Sequence, residues 1–217
     1  MIAAPEHVSH LAIPSKARQQ RDMAKLYFNY STMNAGKSTV LLQASHNYIE
    51  RRMRTMLLTA RLDDRKGVGK IGSRIGLEAE ADTFSRDQNL YNLVEVRNAR
   101  GRLACVLVDE AQFLEEEQVW QLARVADDLK IPVMCYGLRT DFQGQLFPGS
   151  AALLALADNL REVRTICWCG SKATMVVRLG VDGGVQEEGD QIAIGDDIYV
   201  SLCRKHWRER RLTAESV

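Results

Sequence analysis

Apolar residues along this chain fall into two kinds of segment that alternate with each other. Short, continuously apolar runs predict strands at residues 25–30, 55–59, 103–108, 132–138 and 162–166, and helical spacing predicts helices at 37–51, around 88–99, at 115–129 and at 151–157. Strands that are apolar throughout are buried on both faces. Their alternation with helices is typical of βαβ units, so the pattern predicts an α/β fold with a parallel sheet covered by helices on both faces.

The pattern changes after residue 166, where short β-like runs alternate with glycines. This pattern of short runs and glycines predicts a compact ribbon subdomain. Residues 1–22 are polar and lack periodicity, which is typical of a flexible extension. The predicted organisation is an extension over 1–22, a nucleotide-binding core over 23–164, a ribbon over 165–207 and a tail over 208–217.

Composition and charge narrow the function classes. The 217 residues are 46% apolar and 26% charged, with a net charge of +1. This balance lacks the basic excess that favours phosphate backbones, so nucleic acid is not an expected partner. No apolar run approaches the roughly 20 residues that span a bilayer, and the N-terminus lacks the pattern of a signal peptide. The sequence therefore predicts a cytoplasmic protein without a membrane partner.

A phosphate-binding loop is predicted between the first strand and the first helix. Its residues are Ser31, Thr32, Met33, Asn34, Ala35, Gly36, Lys37 and Ser38. In such loops backbone N–H groups cradle the phosphates of a nucleotide, a lysine reaches the terminal phosphates and a hydroxyl binds Mg²⁺. Gly36, Lys37 and Ser38 fill these roles, whereas Ser31 occupies the position of the first glycine in G-x-x-x-x-G-K-[ST].

An acidic pair, Asp109 and Glu110, directly follows the predicted strand at 103–108. An acidic residue at such a strand end holds the metal ion in P-loop proteins, and Asp109 is in that position. Glu110 is either a general base that accepts a proton from an attacking hydroxyl or a structural carboxylate. Ligands of open parallel sheets bind beyond the carboxyl ends of the strands, where the loop and the acidic pair both fall.

Two polar loops add further candidates. Arg65 and Arg74 follow the second strand, where each either neutralises phosphate charge in the transition state or is solvated at the surface. Phe142 lies just past the strand at 132–138 and is either a stacking surface for a planar base or a core residue.

Cys167, Cys169, Cys203 and His206 form two close pairs in the ribbon. Four nitrogen and sulfur ligands in two pairs suit a tetrahedral, structural Zn²⁺, and the alternative is buried thiols with a surface histidine. The odd total of five cysteines argues against a disulfide framework. The remaining two, Cys105 and Cys135, lie within apolar strands and are predicted core residues.

Taken together, these motifs resemble the type II thymidine kinases, particularly the bacterial enzymes. The resemblance covers residues 23–207 and rests on the segments 33–38, 109–113 and 137–142 and on the paired Cys and His residues. It implies a RecA-like P-loop core, a zinc-bearing subdomain whose lasso loop closes over the nucleoside, and a homotetramer with feedback inhibition by dTTP. The implied reaction is ATP-dependent 5′-phosphorylation of thymidine or deoxyuridine.

The same resemblance assigns roles to individual residues. Residues 31–38 would bind the ATP phosphates, Asp109 would serve Mg²⁺, and Glu110 would deprotonate the 5′-hydroxyl. The remaining assignments are Asp63, Arg65 and Gln112 in the nucleotide site, Phe142 against the thymine, and a lasso formed by Ala193, Ile194, Gly195 and Asp196 with Tyr199 nearby. This lasso is one residue shorter than the family pattern, and the Cys167-x-Cys169 spacing is also short.

Two other function classes remain as alternatives. The segment 109–112 resembles the acidic motif of helicase-like ATPases, which suggests a nucleic-acid-stimulated P-loop ATPase, although one core of this length lacks a second motor domain. A non-catalytic zinc-ribbon module is the other, and it leaves the phosphate loop and the acidic pair without a purpose.

Overall fold

The computed structural model describes residues 24–63, 67–192 and 198–214. The central strands are β1 (Leu26–Ser31), β2 (Thr55–Ala60), β5 (Asp82–Phe84), β6 (Cys105–Val108), β7 (Val133–Leu138) and β8 (Asn159–Glu162). They form a six-stranded sheet in the order β5-β2-β6-β7-β1-β8, with every pair parallel. A short antiparallel hairpin of β3 (Lys70–Gly72) and β4 (Glu78–Glu80) lies between β2 and β5 in the chain. The predicted α/β fold with a parallel sheet is confirmed.

Helices cover both faces of this sheet. They are α1 (Lys37–Glu50), α2 (Leu90–Ala99), α3 (Glu116–Leu129) and α4 (Pro148–Leu156), with a 3₁₀ turn over Ala111–Phe113. On one face α1 packs on Cys105, Leu107 and Tyr136. Val106 and Val108, which alternate with Cys105 and Leu107 in β6, face the core formed with α2, α3 and α4. Because successive side chains of a strand point to opposite faces, both sets are buried and β6 is apolar throughout.

Local signals in the sequence fix the helix ends. A capping box, in which the side chains of Glu115 and Gln118 bond each other's backbone N–H groups, starts α3. The Asn89 side chain accepts a hydrogen bond from the Asn92 N–H at 2.9 Å and caps α2. Pro148 occupies the first turn of α4, where its missing N–H costs nothing.

The two cysteines of the central sheet are core residues, as predicted. Cys105 in β6 and Cys135 in β7 are both fully buried. Burial raises the pKa of the Cys105 thiol to about 12 and also raises that of Cys135. Both side chains are therefore neutral thiols packed in the core near neutral pH.

The prediction of a single strand over residues 162–166 was wrong. The edge strand β8 ends at Glu162, and Thr165–Ile166 forms a separate strand, β9, that pairs with β10 (Lys172–Ala173). Strand β8 has a neighbour on one side only and its residues are only partly buried or exposed, so its sequence is polar and carries no apolar signal.

The rest of the ribbon is a small antiparallel sheet. Strands β11 (Met175–Leu179), β12 (Val185–Gln186) and β13 (Ile198–Leu202) are ordered β12-β11-β13, and α5 (Arg204–Arg208) follows. Cys167, Ala173, Val177 and Leu202 form its buried apolar cluster. Within the described ranges no helix is long and apolar enough to cross a membrane.

Candidate active site

The carboxyl ends of β1, β2 and β6 open into one cleft of about 410 Å³. Several elements contribute its walls, which are formed by residues 33–39, Thr59, Asp63, residues 70–75, Asp109, Glu110 and Leu138. The structure therefore brings together the loop, the acidic pair and Asp63, which come from different parts of the sequence. Arg74 also lines the cleft, whereas Arg65 lies outside the described residues.

The loop after β1 turns back on itself before α1 begins. Gly36 has φ +82°, a left-handed conformation that favours glycine, and Lys37 is the first residue of α1. The Lys37 Nζ is buried and donates a hydrogen bond to the Thr32 carbonyl at 2.8 Å. Gly36 and the first three residues of α1 line the cleft, so the N-terminus of this helix faces it, as phosphate binding requires.

The side chains of the first two loop residues, Ser31 and Thr32, form hydrogen bonds with residues outside the loop. The Ser31 hydroxyl donates to the carbonyl of Val163, just beyond β8. The Thr32 hydroxyl lies 2.9 Å from the Ser201 hydroxyl. Ser31, which replaces the first glycine of the motif, therefore has a specific use for its side chain: it joins the start of the loop to the edge of the sheet.

Replacing Ser31 tests this anchoring. Ser31→Ala leaves the Val163 carbonyl without the hydroxyl, and we expect it to lower the free energy of unfolding by about 1–2 kcal/mol and to weaken ADP binding. Ser31→Gly restores the consensus motif, yet we expect it to be at least as destabilising, because it adds backbone freedom to the unfolded chain. Urea unfolding and ADP titration measure both effects. Ser85→Ala, at an exposed serine–aspartate contact, is the matched control, and a fully stable Ser31→Gly variant would contradict the anchoring role.

Asp109 is a buried carboxylate at the base of the cleft. Burial and the neighbouring charge of Glu110 raise its pKa to about 7, while a hydrogen bond from Ser38 and the charge of Lys37 oppose that shift. Among the described residues its Oδ1 has no hydrogen-bond partner. A buried oxygen without a partner, next to the Ser38 hydroxyl, is the arrangement expected for oxygen ligands of Mg²⁺.

Glu110 lines the cleft, and its carboxylate is hydrogen-bonded to the Gln112 side chain. Glu110 has φ +50°, and its Oε2 accepts a hydrogen bond from Gln112 Nε2 at 2.5 Å. The Gln112 Oε1 accepts one from the Leu138 N–H at 3.0 Å. A Cβ at Gly137 would lie 2.9 Å from the Gln112 backbone nitrogen, so only glycine allows this close approach. Gln112, predicted to be in the nucleotide site, contacts Glu110 here.

Several cleft residues were missed by the sequence reasoning. Thr59 is the polar residue near the carboxyl end of β2, a position that could have identified it. Lys70 and Ser73 come from the β3–β4 hairpin, whose short polar strands gave no signal.

Arg178 is adjacent to two of the predicted nucleoside residues, Phe142 and Tyr199. The Phe142 ring is buried, with the Arg178 guanidinium carbon 3.9 Å from its centroid. In the β11–β13 register Arg178 is opposite Tyr199. The base-stacking role of Phe142 stays a prediction, and residues 193–196 lie outside the described residues.

The four ligand atoms of Cys167, Cys169, Cys203 and His206 lie within 4.8 Å of one another. The Cys167 and Cys203 sulfurs are each 3.4 Å from His206 Nδ1. Tetrahedral Zn²⁺ with bonds of about 2.3 Å to sulfur and about 2.0 Å to nitrogen sets sulfur and nitrogen ligands about 3.5 Å apart. The cluster therefore fits zinc.

A tight turn accommodates the short Cys167-x-Cys169 spacing. It joins β9 to β10, with the Cys167 N–H donating to the Ser171 carbonyl at 2.8 Å. Hydrogen bonds from the Ser171 hydroxyl and backbone lower the pKa of Cys169 to about 6, which favours its thiolate. Between the two cysteines, Trp168 stacks on the His206 ring at 4.2 Å and fixes its orientation.

The first strand of this parallel sheet leads into such a loop, and β6, which is separated from β1 by β7, ends in two carboxylates. This arrangement defines a P-loop protein of the phosphoryl-transfer class. A sequence model described as thymidine kinase matches residues 24–207. The chain belongs to the thymidine kinase family, which confirms the resemblance.

Similar proteins agree with this assignment. A thymidine kinase of Jannaschia sp. (strain CCS1) is 69% identical over 188 residues, covering 86% of this chain and 96% of the relative. One from Ruegeria pomeroyi is 66% identical, covering 86% and 95%. Among solved structures, the Pif1 helicase of Candida albicans matches with a TM-score of 0.40 and 14% identity over 72% of this chain and 40% of the helicase. Similarity at that level supports no conclusion.

Proposed function

We propose that the chain transfers the γ-phosphoryl group of ATP to the 5′-hydroxyl of thymidine or deoxyuridine, forming the nucleoside monophosphate and ADP. The observation that carries the proposal is the convergence of Lys37, Asp109 and Glu110 on one cleft. Family membership and the names of the relatives support thymidine as the acceptor.

The phosphate donor is bound by the loop. Backbone N–H groups of residues 33–38 and the Lys37 ammonium bind the phosphates of ATP. The Ser38 hydroxyl and the Asp109 carboxylate would hold Mg²⁺, and the Asp109 Oδ1 without a partner supports this assignment. When bound, Mg²⁺ neutralises charge on the transferring phosphates.

Glu110 acts as the general base. Its carboxylate accepts the proton of the 5′-hydroxyl as that oxygen bonds to the γ-phosphorus, and the bond from phosphorus to the β–γ bridging oxygen breaks, leaving its electron pair on ADP. The Gln112 amide fixes the Glu110 carboxylate through a 2.5 Å hydrogen bond. In this mechanism Gln112 is a positioning residue.

The nucleoside is bound at the ribbon. In the proposal Phe142 packs on the thymine, with Tyr199 and residues 193–196 completing the site. A pocket built for one pyrimidine ring excludes the larger purines and leaves polar groups unpaired with a wrong base. The zinc cluster holds the ribbon together in this scheme, since structural zinc contributes folding free energy directly.

Three further properties are proposed on the family resemblance. The first is feedback inhibition by dTTP, which carries both the thymine and the triphosphate that the site is proposed to bind. The others are a homotetramer, which light scattering of the purified chain tests, and a cytoplasmic location.

The proposed reaction is tested with ATP and Mg²⁺ and a panel of thymidine, deoxyuridine, deoxycytidine and deoxyguanosine, with and without single-stranded DNA. We expect monophosphate from thymidine and deoxyuridine only, at rates that DNA does not change. ATP hydrolysis that requires DNA and yields no nucleotide product would replace the kinase with the ATPase alternative.

The raised pKa of Asp109 predicts a pH dependence. A proton competes with Mg²⁺ for this carboxylate, so affinity for Mg²⁺–ADP should rise with pH up to about 7 and level off above it. Well below pH 7 we expect about a tenfold loss per pH unit. The folded chain binds this proton more tightly than the unfolded chain does, so stability without ligand should fall as pH rises from about 4 to about 7.

Calorimetric titration of Mg²⁺–ADP across this range measures the effect. Titration of ADP without Mg²⁺ corrects for protonation of the nucleotide itself. Asp109→Asn has no carboxylate to titrate and should lose the pH-dependent component. Identical profiles for the two proteins would show that another group is responsible.

A further inference from the structure

We infer that Ser201 is a positioning residue that couples the phosphate-binding loop to the ribbon, so that a ligand in one of these sites changes affinity in the other. The inference rests on the proposed function, because it uses ATP and thymidine as the two ligands. It adds a residue that no motif of the sequence identified.

Ser201 joins two segments far apart in the chain. Its hydroxyl donates to the Met33 carbonyl at 2.6 Å and lies 2.9 Å from the Thr32 hydroxyl. A third contact runs in parallel, from the Asn34 side-chain amide to the Tyr199 carbonyl at 3.3 Å. Three successive loop residues are thus bonded to β13. Asn34, whose side chain makes the third of these contacts, has φ of 62°, a left-handed conformation that asparagine adopts more readily than most residues.

Strand β13 connects this contact to the proposed nucleoside residues. Tyr199 is two residues before Ser201 in the same strand. Opposite Tyr199 in β11 is Arg178, whose guanidinium covers the Phe142 ring. Arg178 is itself fixed by a bond to the Asp190 carbonyl at 2.9 Å. A shift of β13 therefore moves Tyr199 together with the loop residues that hold phosphate.

Strand β13 is also fixed at its far end. Cys203, one of the four zinc-type ligands, directly follows the strand. Ser201 lies between Tyr199 and Cys203 along the chain. Its hydroxyl is bonded to the loop, so a movement of β13 is transmitted to the loop through this hydrogen bond. Coupling of this kind is reciprocal: if nucleotide changes thymidine affinity, thymidine changes nucleotide affinity by the same factor.

The experiment measures that factor in the full-length chain. The dissociation constant of thymidine is determined with and without a saturating, non-hydrolysable β,γ-methylene analogue of ATP plus Mg²⁺, and the ratio of the two constants is the coupling factor. In the wild type we expect about fivefold or more, and in Ser201→Ala we expect a value within about twofold of one. Ser201→Thr keeps the hydroxyl on a strand-compatible side chain and should retain the coupling.

Two controls separate coupling from general damage. Ser85→Ala removes an exposed hydroxyl and should keep the wild-type factor. Thr32→Val removes the other hydroxyl of the pair at nearly constant volume, and should lower the factor even if Ser201→Ala folds poorly. A factor of one in the wild type, or an unchanged factor in both Ser201→Ala and Thr32→Val, overturns the inference. Those results leave thymidine phosphorylation intact, whereas failure of the nucleoside panel would overturn the proposed function itself.

Discussion

Replacing Glu110 by glutamine should lower kcat for thymidine by about 10²–10⁴-fold, the usual contribution of a positioned general base. Glutamine keeps the size and a hydrogen-bonding oxygen of the side chain, so the bond from Gln112 survives in part and the loop is untouched. Affinity for Mg²⁺–ADP should therefore stay near the wild-type value. Removing the Glu110 charge beside Asp109 also takes away one cause of that residue's raised pKa, so metal binding should tolerate lower pH.

Steady-state kinetics and ADP titration on the same preparation test this. Glu95→Gln on the exposed face of α2 is the matched control, because it removes the same charge far from the cleft. A variant with near-wild-type kcat would remove Glu110 from the mechanism. Lost ADP binding would instead assign it to the nucleotide site.

Removing the proposed zinc should have the second large effect. The ribbon has strands of two to five residues and a helix of five, which are too short to be stable alone. We expect Cys203→Ala to lose bound zinc, to unfold the ribbon and to abolish thymidine phosphorylation, because apparent binding energies of structural zinc are about 10–16 kcal/mol.

Metal analysis measures the loss of zinc, and titration of reactive thiols on the same samples measures the unfolding of the ribbon. The cysteines of the central sheet are buried thiols with raised pKa, so reagent uptake in native protein reports on the ribbon cysteines alone. Cys135→Ala is the matched control: it should keep zinc and activity at a small cost in stability. Fully active protein without zinc would contradict the role assigned to the metal.

The parts of the site that the sequence predicted are those encoded by local patterns. Lys37, Ser38, Asp109 and Glu110 each follow a buried strand in a fixed motif, and parallel topology brings the ends of those strands to one edge. The same holds for the Cys203 and His206 pair, whose spacing of one helical turn is visible in the chain.

The features of the site and fold that the sequence could not predict depend on contacts between segments far apart in the chain. Nothing near Ser201 in the sequence indicates that it contacts Thr32, and the contact exists only because β13 packs beside the loop. The hydrogen bond from Gln112 to Glu110 could not be predicted from the sequence either, and the assignment of Gln112 to the nucleotide site stays a prediction. Edge strand β8 was missed because it is only half covered and needs no apolar run.

The hydrogen bond between Lys37 and the Thr32 carbonyl bears on the cost of binding a phosphate. The buried ammonium has given up most of its hydration before any ligand arrives, so that part of the desolvation cost belongs to folding and not to binding. An ammonium has three N–H donors, so Lys37 can keep the bond to Thr32 and donate to a phosphate oxygen at the same time. The lysine is therefore already oriented when its ligand arrives, which lowers the entropy cost of forming the complex.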